Sequence, residues 1–227
     1  MKVRDSGMPE EAYWESLFDI PLILDSLAIG TGIGDVVEFG CGYGTFTVPV
    51  ARRISGLLHA LDIEPDMVRK VAKRCRREGL SNVRAEVRDV IEQGTGLGDS
   101  SMDFVLLFNL LHHDQPLVLL REAFRVLKPS GRLAVIHWVH DPATPRGPDL
   151  SIRPRPEQCI AWGKEAGFVS PPQQFDLKPY HYGLLFRRPP VALRRGMVAG
   201  RPRRGDDNDP DSFPMEEKAC PLPTYPA

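Results

Sequence analysis

The stretch VVEFGCGYGTF, Val36 to Phe46, places three glycines directly behind a short apolar run. The run DVVEF has the composition of a buried strand, and Gly40, Gly42 and Gly44 alternate with other residues after it. Bare backbone at the end of a strand lets a ligand approach the main chain closely, and glycine also permits the positive φ of a tight turn. Such loops are typical of α/β sheets that hold nucleotide-like cofactors, although the glycines alone do not identify one.

Short apolar runs alternate with helical patterns from Asp35 onward. Five runs predict strands, namely DVVEF, LLHAL, VRAEV, DFVLLF and RLAVIHW. The predicted helices between and after them are Thr45 to Ile54, Pro65 to Arg77, Pro116 to Leu127 and Pro156 to Glu165. This alternation implies crossover connections and a parallel sheet covered on both faces. The last two runs, FVSPPQQFDL and YHYGLLFR, predict an antiparallel hairpin at the sheet edge.

We predict three parts of the chain: an N-terminal helical segment (1–34), a central domain (35–188) and a disordered tail (189–227). Pro21 is expected to kink or divide the first segment, which either packs on the core or places Tyr13, Trp14 and Phe18 over a ligand as a lid. The tail is rich in proline, and a run with seven arginines between 187 and 204 leads into it and precedes an acidic run. A solvated tail is the default interpretation, and contact with RNA is the alternative.

Composition excludes several classes of protein. The 29 basic and 30 acidic residues nearly cancel, which gives no general reason to expect nucleic acid as a partner. No apolar run reaches the ~20 residues that span a bilayer, and the N-terminus lacks the apolar core of a secretory signal. The four cysteines form no CxxC pair, which argues against a zinc ribbon. These features predict a cytoplasmic protein without a membrane span.

Polar residues follow each predicted parallel strand, where α/β sheets bind ligands. They are Asp62 after the second strand, Asp89 after the third, and Asn109, His112 and His113 after the fourth. Asp62 is placed to bind both hydroxyls of a ribose, or alternatively to cap the helix that follows it. The third glycine of the dinucleotide fingerprint is missing, and there is no GK[ST] motif. An adenosine cofactor without a pyrophosphate is therefore favoured.

These motifs resemble those of class I S-adenosylmethionine-dependent methyltransferases. VVEFGCGYGTF resembles their first motif, HALDIEPDMV their second and VRAEVRDV the segment whose acid faces adenine. GDSSMDFVLLFNLLHH resembles their fourth-strand motif, and EAFRVLKPSGRLAVIHW resembles the helix and fifth strand that follow it. The similarity covers about residues 35 to 187 and is greatest to the group of small-molecule and quinone-biosynthesis methyltransferases. It implies a Rossmann-like, doubly wound α/β sheet of seven strands whose last strand is antiparallel.

The resemblance also implies a cofactor, S-adenosylmethionine, and a set of residues that bind it. Glu38 and the glycine loop would meet the methionyl part, Asp62 the ribose, and Asp89 the adenine amine. The full set of implied contacts is Glu38, Gly40, Gly42, Gly44, Asp62, Ile63, Met67, Asp89, Val90 and Asn109. The implied reaction is methyl transfer to a small-molecule acceptor by direct in-line displacement.

The sequence leaves the catalytic groups open. His112 and His113 are candidates for a general base by position, or they are core or helix-capping residues. Together with His137 and His140 they could in principle meet at a metal, but no spacing demands one, and we predict no metal site. We expect an apolar or aromatic acceptor site from Tyr13, Trp14, Phe18, Trp138 and Tyr180. The alternatives to a methyltransferase are an inactive cofactor-binding protein and an NAD(P)-dependent oxidoreductase.

Overall fold

A computed structural model of the chain describes residues 9–191. Its seven strands form one sheet in the order β3-β2-β1-β4-β5-β7-β6. The strands are β1 (Val36–Phe39), β2 (Leu58–Asp62), β3 (Val83–Val87), β4 (Met102–Phe108), β5 (Leu127–Trp138), β6 (Gln173–Leu177) and β7 (His181–Arg187). The pairs among β1 to β5 are parallel, whereas β7 runs antiparallel to both β5 and β6. The predicted fold class, including the antiparallel last strand, is confirmed.

Seven helices are described. They are α1 (Glu11–Glu15), α2 (Ile20–Ser26), α3 (Thr47–Ala51), α4 (Pro65–Arg77), α5 (Val90–Gln93), α6 (Pro116–Val126) and α7 (Pro156–Glu165). Buried side chains of α2, α3 and α4 pack on one face of the sheet, and those of α5, α6 and α7 pack on the other. Within residues 9–191 no helix is long and apolar enough to cross a bilayer.

The sheet is buried on both faces, which explains the nearly continuous apolar character of its central strands. Val36 and Val37 are neighbours on β1, yet the first belongs to one core cluster and the second to the other. Leu106 and Leu107 on β4 divide in the same way, because successive side chains of a strand point to opposite faces. A parallel sheet covered by helices on both sides requires this composition.

Pro21 divides the N-terminal segment into two helices. It occupies the first turn of α2, where its missing N–H is not needed, and Asp19 caps this helix by accepting a hydrogen bond from the Leu22 amide at 3.1 Å. α2 buries Ile23 and Leu24, as expected for a helix on the core, whereas α1 buries none of its residues. The predicted disordered tail lies outside the described residues from position 192 onward, as do positions 1–8.

Two helices differ from prediction. The helix predicted from Thr45 to Ile54 is limited to α3, because the glycine loop stays non-helical as far as Phe46 and turns replace the last residues. The sequence analysis also missed α5, which spans only four residues and is too short to show an apolar period. Its start is nevertheless marked by Asp89, whose side chain accepts hydrogen bonds from two backbone amides of the helix.

Strand order reverses between β1 and β4, and this places a crevice at the carboxyl ends of the parallel strands. The loops after β1 to β5 meet at this edge. Because β7 is antiparallel, its first residue, His181, pairs with Trp138 at the end of β5 and lies at the same edge. The fold thus brings the predicted site residues and the beginning of β7 to one side of the sheet.

Candidate cofactor and acceptor site

The glycine loop after β1 has a backbone that only glycine adopts readily. Gly40, Gly42 and Gly44 have φ values of 71°, 51° and 79°. A Cβ at Gly40 would lie 3.0 Å from Cδ1 of Leu110, and one at Gly44 would lie 3.1 Å from Cγ2 of Val71. The loop therefore combines left-handed conformation with close packing, and its amides are left bare of side chains.

Asp62 connects the end of β2 to this loop. Its Oδ2 accepts a hydrogen bond from the Gly42 amide at 2.8 Å, and its Oδ1 accepts one from the Glu64 amide at 2.9 Å. The N-cap position of α4 is Glu64, so Asp62 is not the helix cap that the sequence left open. A carboxylate offers about four acceptor positions, and each oxygen retains capacity for a ribose hydroxyl. Burial raises the pKa of Asp62, and the two amide bonds oppose that shift.

Glu38 lies on β1 directly before the loop and is almost fully buried. The Thr47 hydroxyl donates a hydrogen bond to its Oε2 at 2.5 Å. Burial raises the pKa of Glu38 to about 8, the bond from Thr47 lowers it, and the charge of Asp62 raises it further. In the ligand-free protein this carboxyl is mostly protonated at neutral pH, and a nearby cationic ligand would favour its ionisation.

The predicted adenine contacts lie along the ends of β2 and β3. Oδ1 of Asp89 accepts hydrogen bonds from the amides of Ile91 and Glu92 at 3.0 and 3.2 Å. Its Oδ2 has no hydrogen bond within residues 9–191. Ile63 is half-buried beside Asp62, and Val90 follows Asp89 into α5 as a buried residue. Met67, also half-buried, lines a depression of about 310 Å³ on α4 together with Asp66, Arg69, Lys70 and Lys73.

Asn109 follows β4 at the switch point. It has a φ of 55°, and its amide donates to the Ile136 carbonyl at 2.8 Å. Its side-chain Oδ1 is buried and has no hydrogen-bond partner among the described residues. Buried polar atoms are normally paired, so an unpaired oxygen at this edge indicates a ligand group or water. The close-packed glycine backbone of the loop and the spare oxygens of Asp62 and Asp89 form a set that fits S-adenosylmethionine.

Two histidines meet beyond the cofactor residues. Nδ1 of His112, in the loop after β4, lies 3.3 Å from Nε2 of His137 at the end of β5. His113 contacts residues of its own loop instead. Its Nδ1 accepts a hydrogen bond from the Gln115 amide at 3.1 Å and lies 2.8 Å from Oδ1 of Asp114. The two candidate bases therefore have different surroundings, and His112 is the one joined to the sheet.

Burial dominates the electrostatics of the paired histidines. It lowers the pKa of His112 to about 4, with His113 contributing, and lowers that of His137 well below its usual value. A general base works best when its pKa lies near the working pH. His112 is thus neutral in the ligand-free protein and a weak base, and its imidazole is better suited to orient an acceptor by a hydrogen bond.

An aromatic cluster closes the same edge. The ring of Trp138 lies 6.2 Å from Trp14, 6.3 Å from Phe18 and 6.4 Å from Tyr180. Phe18 and Trp138 are buried, whereas Trp14 and Tyr180 keep partly exposed rings. Of the residues predicted to line an acceptor site, Trp14 and Tyr180 can therefore meet a ligand, and Phe18 and Trp138 form the core beneath them.

Tyr13 faces away from this arrangement, with 41% of its surface exposed and no ring contact within the described chain. The segment that carries it is held to the glycine loop at its start, where the Tyr43 hydroxyl donates to the Pro9 carbonyl at 2.9 Å. Arg74 of α4 also pairs with Glu15 at 2.6 Å. α1 thus lies next to the glycine loop, and its role as a lid stays a prediction.

Sequence reasoning missed His181. This side chain is 1% exposed, stacks on Phe18 with ring centroids 4.4 Å apart, and lies 4.3 Å from the Trp138 ring. Its Nε2 is buried without a hydrogen-bond partner in the described structure. The signal that could have found it is its place at the start of an antiparallel strand, which puts it at the carboxyl edge of β5.

The other titratable candidates do not assemble into a metal site. Nδ1 of His140 lies 3.0 Å from the carbonyl oxygen of Arg153, so His140 does not join the pair of His112 and His137. Within residues 9–191 no group of three or more histidines, cysteines or acids is arranged to hold a metal ion. Cys41 is buried in the glycine loop as a free thiol, and burial raises its pKa far above the usual range.

Comparison with known proteins finds a matching domain family and similar folds. Residues 36–131 match the family described as a methyltransferase domain. A crystal structure of a SAM-dependent methyltransferase from Aquifex aeolicus superposes with a TM-score of 0.69 at 23% identity, covering 78% of this chain and 93% of that one. This domain match and the shared fold support assignment to the class I S-adenosylmethionine-dependent methyltransferases, the family that the motifs of the sequence resemble.

Curated relatives agree with this assignment over part of their length. The probable methyltransferase ltbC of Aspergillus luteorubrus is 28% identical over 163 residues, which are 67% of this chain and 55% of the relative. The aklanonic acid methyltransferase DauC of Streptomyces sp. (strain C5) is 32% identical over 73 residues, 31% of this chain and 32% of the relative. The chain thus spans about half the length of the first of these relatives and a third of the second.

Proposed function

We propose that this protein transfers a methyl group from S-adenosylmethionine to a small-molecule acceptor. The observation that carries the proposal is the connection of the glycine loop to β2, in which the Gly42 amide donates to Asp62 at 2.8 Å. This bond holds the glycine backbone and a carboxylate with spare acceptor capacity together at the strand-order switch. When bound, S-adenosylmethionine supplies a methyl group already activated on a sulfonium.

The protein's own contribution would be alignment and exclusion of water rather than a covalent step. Direct in-line displacement needs the acceptor atom held in line with the methyl group, and positioning of this kind can supply a large part of the rate. Asn109, His112 and the partly exposed rings of Trp14 and Tyr180 are the groups nearest to that task. Family similarity to DauC, named for aklanonic acid, supports a small organic acceptor.

The first test is isothermal titration with S-adenosylhomocysteine and, separately, with NADH. Wild type should bind the first saturably and not the second. Asp62→Ala should weaken binding by roughly 10- to 100-fold, because hydrogen bonds to a charged group contribute about 1.5–3 kcal/mol. Asp99→Ala is the matched control, since this exposed acid pairs with Arg125 and precedes β4, at the opposite edge of the sheet. Absence of binding, or a preference for NADH, would contradict the proposal.

Acceptors are then tested with methyl-labelled S-adenosylmethionine and a panel of hydroxylated aromatic acids that includes aklanonic acid. Labelled product from one of them would establish the acceptor class. Cofactor binding without transfer across a wide panel would favour the inactive cofactor-binding protein instead. A cytoplasmic location also stays a proposal; the free, buried thiols of Cys41, Cys75 and Cys159 support it.

A further inference from the structure

We propose that His137 is a positioning residue that fixes the ring orientation and tautomer of His112, leaving Nε2 of His112 as its one nitrogen directed to the acceptor. The role toward the acceptor rests on the proposed function. The hydrogen-bonded pair itself does not, because it is a property of the folded chain. Nothing in the sequence motifs assigns this role to a histidine of β5.

The rings of His112 and His137 are in direct contact. Nδ1 of His112 and Nε2 of His137 are 3.3 Å apart, with the two rings 72° from coplanar. Two neutral imidazoles at this distance can share only one N–H, so the proton on one ring determines the bare nitrogen on the other. The contact therefore couples the tautomers of the two residues.

The fold holds His137 more firmly than His112. His137 is 0% exposed and lies within β5, paired in register with Tyr182 of β7. The Tyr182 hydroxyl donates to the Pro154 carbonyl at 3.0 Å and lies 3.3 Å from Sγ of Cys159. His112, in contrast, is half-buried in the loop after β4. The fixed member of the pair is thus His137, and it orients the member on the loop.

Nε2 is the ring nitrogen of His112 that remains free of hydrogen bonds within the described residues. Nδ1 of His112 is engaged by His137, and no group within residues 9–191 hydrogen-bonds its Nε2. The ring of His137 that faces this Nδ1 is fully buried within β5. Burial keeps the pKa of both rings below the neutral range, so both imidazoles are neutral and one proton lies between the two facing nitrogens.

The experiment is nitrogen NMR of the full chain labelled with 15N-histidine, at neutral pH and without ligand. The chain holds six histidines, which single His→Gln variants assign. Wild type should show His112 as one tautomer, with one protonated and one bare nitrogen. His137→Phe keeps the ring volume but removes the partner nitrogen, and the two nitrogens of His112 should then shift toward averaged values.

Two further variants make the result specific. His137→Gln places an amide near the former Nε2 and should return His112 to a single tautomer. His59→Phe is the control, because His59 of β2 is also a buried histidine with an unpartnered Nδ1 and should leave His112 unchanged when substituted. An unchanged His112 spectrum in His137→Phe, or an equal change in His59→Phe, overturns the proposal.

Titration with S-adenosylhomocysteine separates this proposal from the preceding one. His137→Phe should retain the wild-type affinity within about twofold, because His137 hydrogen-bonds none of the glycine loop, Asp62 or Asp89 in the described structure. If wild type fails to bind, the methyltransferase proposal fails, while the spectra still decide whether His137 positions His112. A loss of affinity in His137→Phe alone would show a wider structural role and contradict the positioning proposal.

Discussion

The carboxyl edge of the sheet has two parts, which we name the cofactor edge and the acceptor edge after their proposed roles, and the two are built in different ways. The cofactor edge consists of the glycine loop, Asp62 and Asp89, and its hydrogen bonds join carboxylates to backbone amides. The acceptor edge consists of His112, His137, Trp138, Tyr180 and His181 with the N-terminal rings that cover them, and its contacts join side chains far apart in the sequence.

This difference has an energetic consequence. Backbone amides hold the carboxylates at the cofactor edge by hydrogen bonds, so the turns and strand ends that carry these amides fix the positions of the carboxylates. At the acceptor edge, apolar packing holds the residues, and polar atoms such as Nε2 of His181 stay buried and unpaired. We therefore expect substitutions at the acceptor edge to act mainly on stability, and substitutions at the cofactor edge to act mainly on cofactor binding.

The largest effect is expected at Phe18. This buried ring stacks on His181 and meets Phe46 edge-on at 5.2 Å, so Phe18→Ala should destabilise the protein by about 3–5 kcal/mol through lost burial and the cavity left behind. Urea unfolding measures the change. Tyr13→Ala, at an exposed ring on the same segment, should remain within about 0.5 kcal/mol. Equal effects of the two substitutions would break the proposed division between the edges.

A smaller effect is expected on the pH dependence of stability. Burial lowers the pKa of His181 from 6.5 to about 3, and the nearby charge of Arg153 adds to the shift. Because the folded pKa is depressed, the unfolded chain takes up a proton below pH 6.5 before the folded one does, so stability is lost as the pH falls. Linkage gives a loss of about 2 kcal/mol between pH 7 and 5 from this residue.

His181→Gln removes that titration and should make unfolding less sensitive to acid by about the same 2 kcal/mol over the same interval. Denaturant unfolding of both proteins at pH 7, 6 and 5 measures the difference, which also removes the contribution of the other histidines. Parallel pH profiles for the two proteins would show that His181 is charged or solvated in the fold, contrary to its burial.

The smallest stability change is expected at Gly40, where the effect on binding should be the larger one. An alanine there must adopt a φ of 71° and place its Cβ 3.0 Å from Leu110, which should cost about 1–2 kcal/mol. Affinity for S-adenosylhomocysteine should fall at least about tenfold, since 1.4 kcal/mol corresponds to that factor. Calorimetry and urea unfolding give the two values.

Gly32→Ala is the matched control for that substitution. A Cβ at Gly32 meets no atom within 4 Å, and we expect a stability change within about 0.5 kcal/mol and unchanged binding. If Gly40→Ala binds S-adenosylhomocysteine as wild type does, the left-handed backbone of the loop is not needed for the cofactor, and the contrast between the edges is weaker than proposed.

The sequence alone was sufficient for the sheet and for the common edge at which the predicted cofactor residues lie. Strand and helix patterns carry the period of their structures, and Gly40, Asp62 and Asp89 each follow a strand, where parallel order brings loops to one edge. The bounds of α4 and α7 also agree with prediction, because proline begins each helix and glycine follows its end. Short elements such as α5 escaped, since four residues carry no period.

Tertiary structure decided which side chains meet. The sequence placed His112 and His137 after neighbouring strands, but only the fold shows that they share a hydrogen bond while His140 lies near Arg153. Likewise, Phe18 and Trp138 were expected at an acceptor site, and the fold places them in the core beneath Trp14 and Tyr180. The physical reason is that the strands, turns and helix starts that carry the cofactor residues follow local sequence patterns, whereas contacts between distant side chains depend on the register and crossing of the whole sheet.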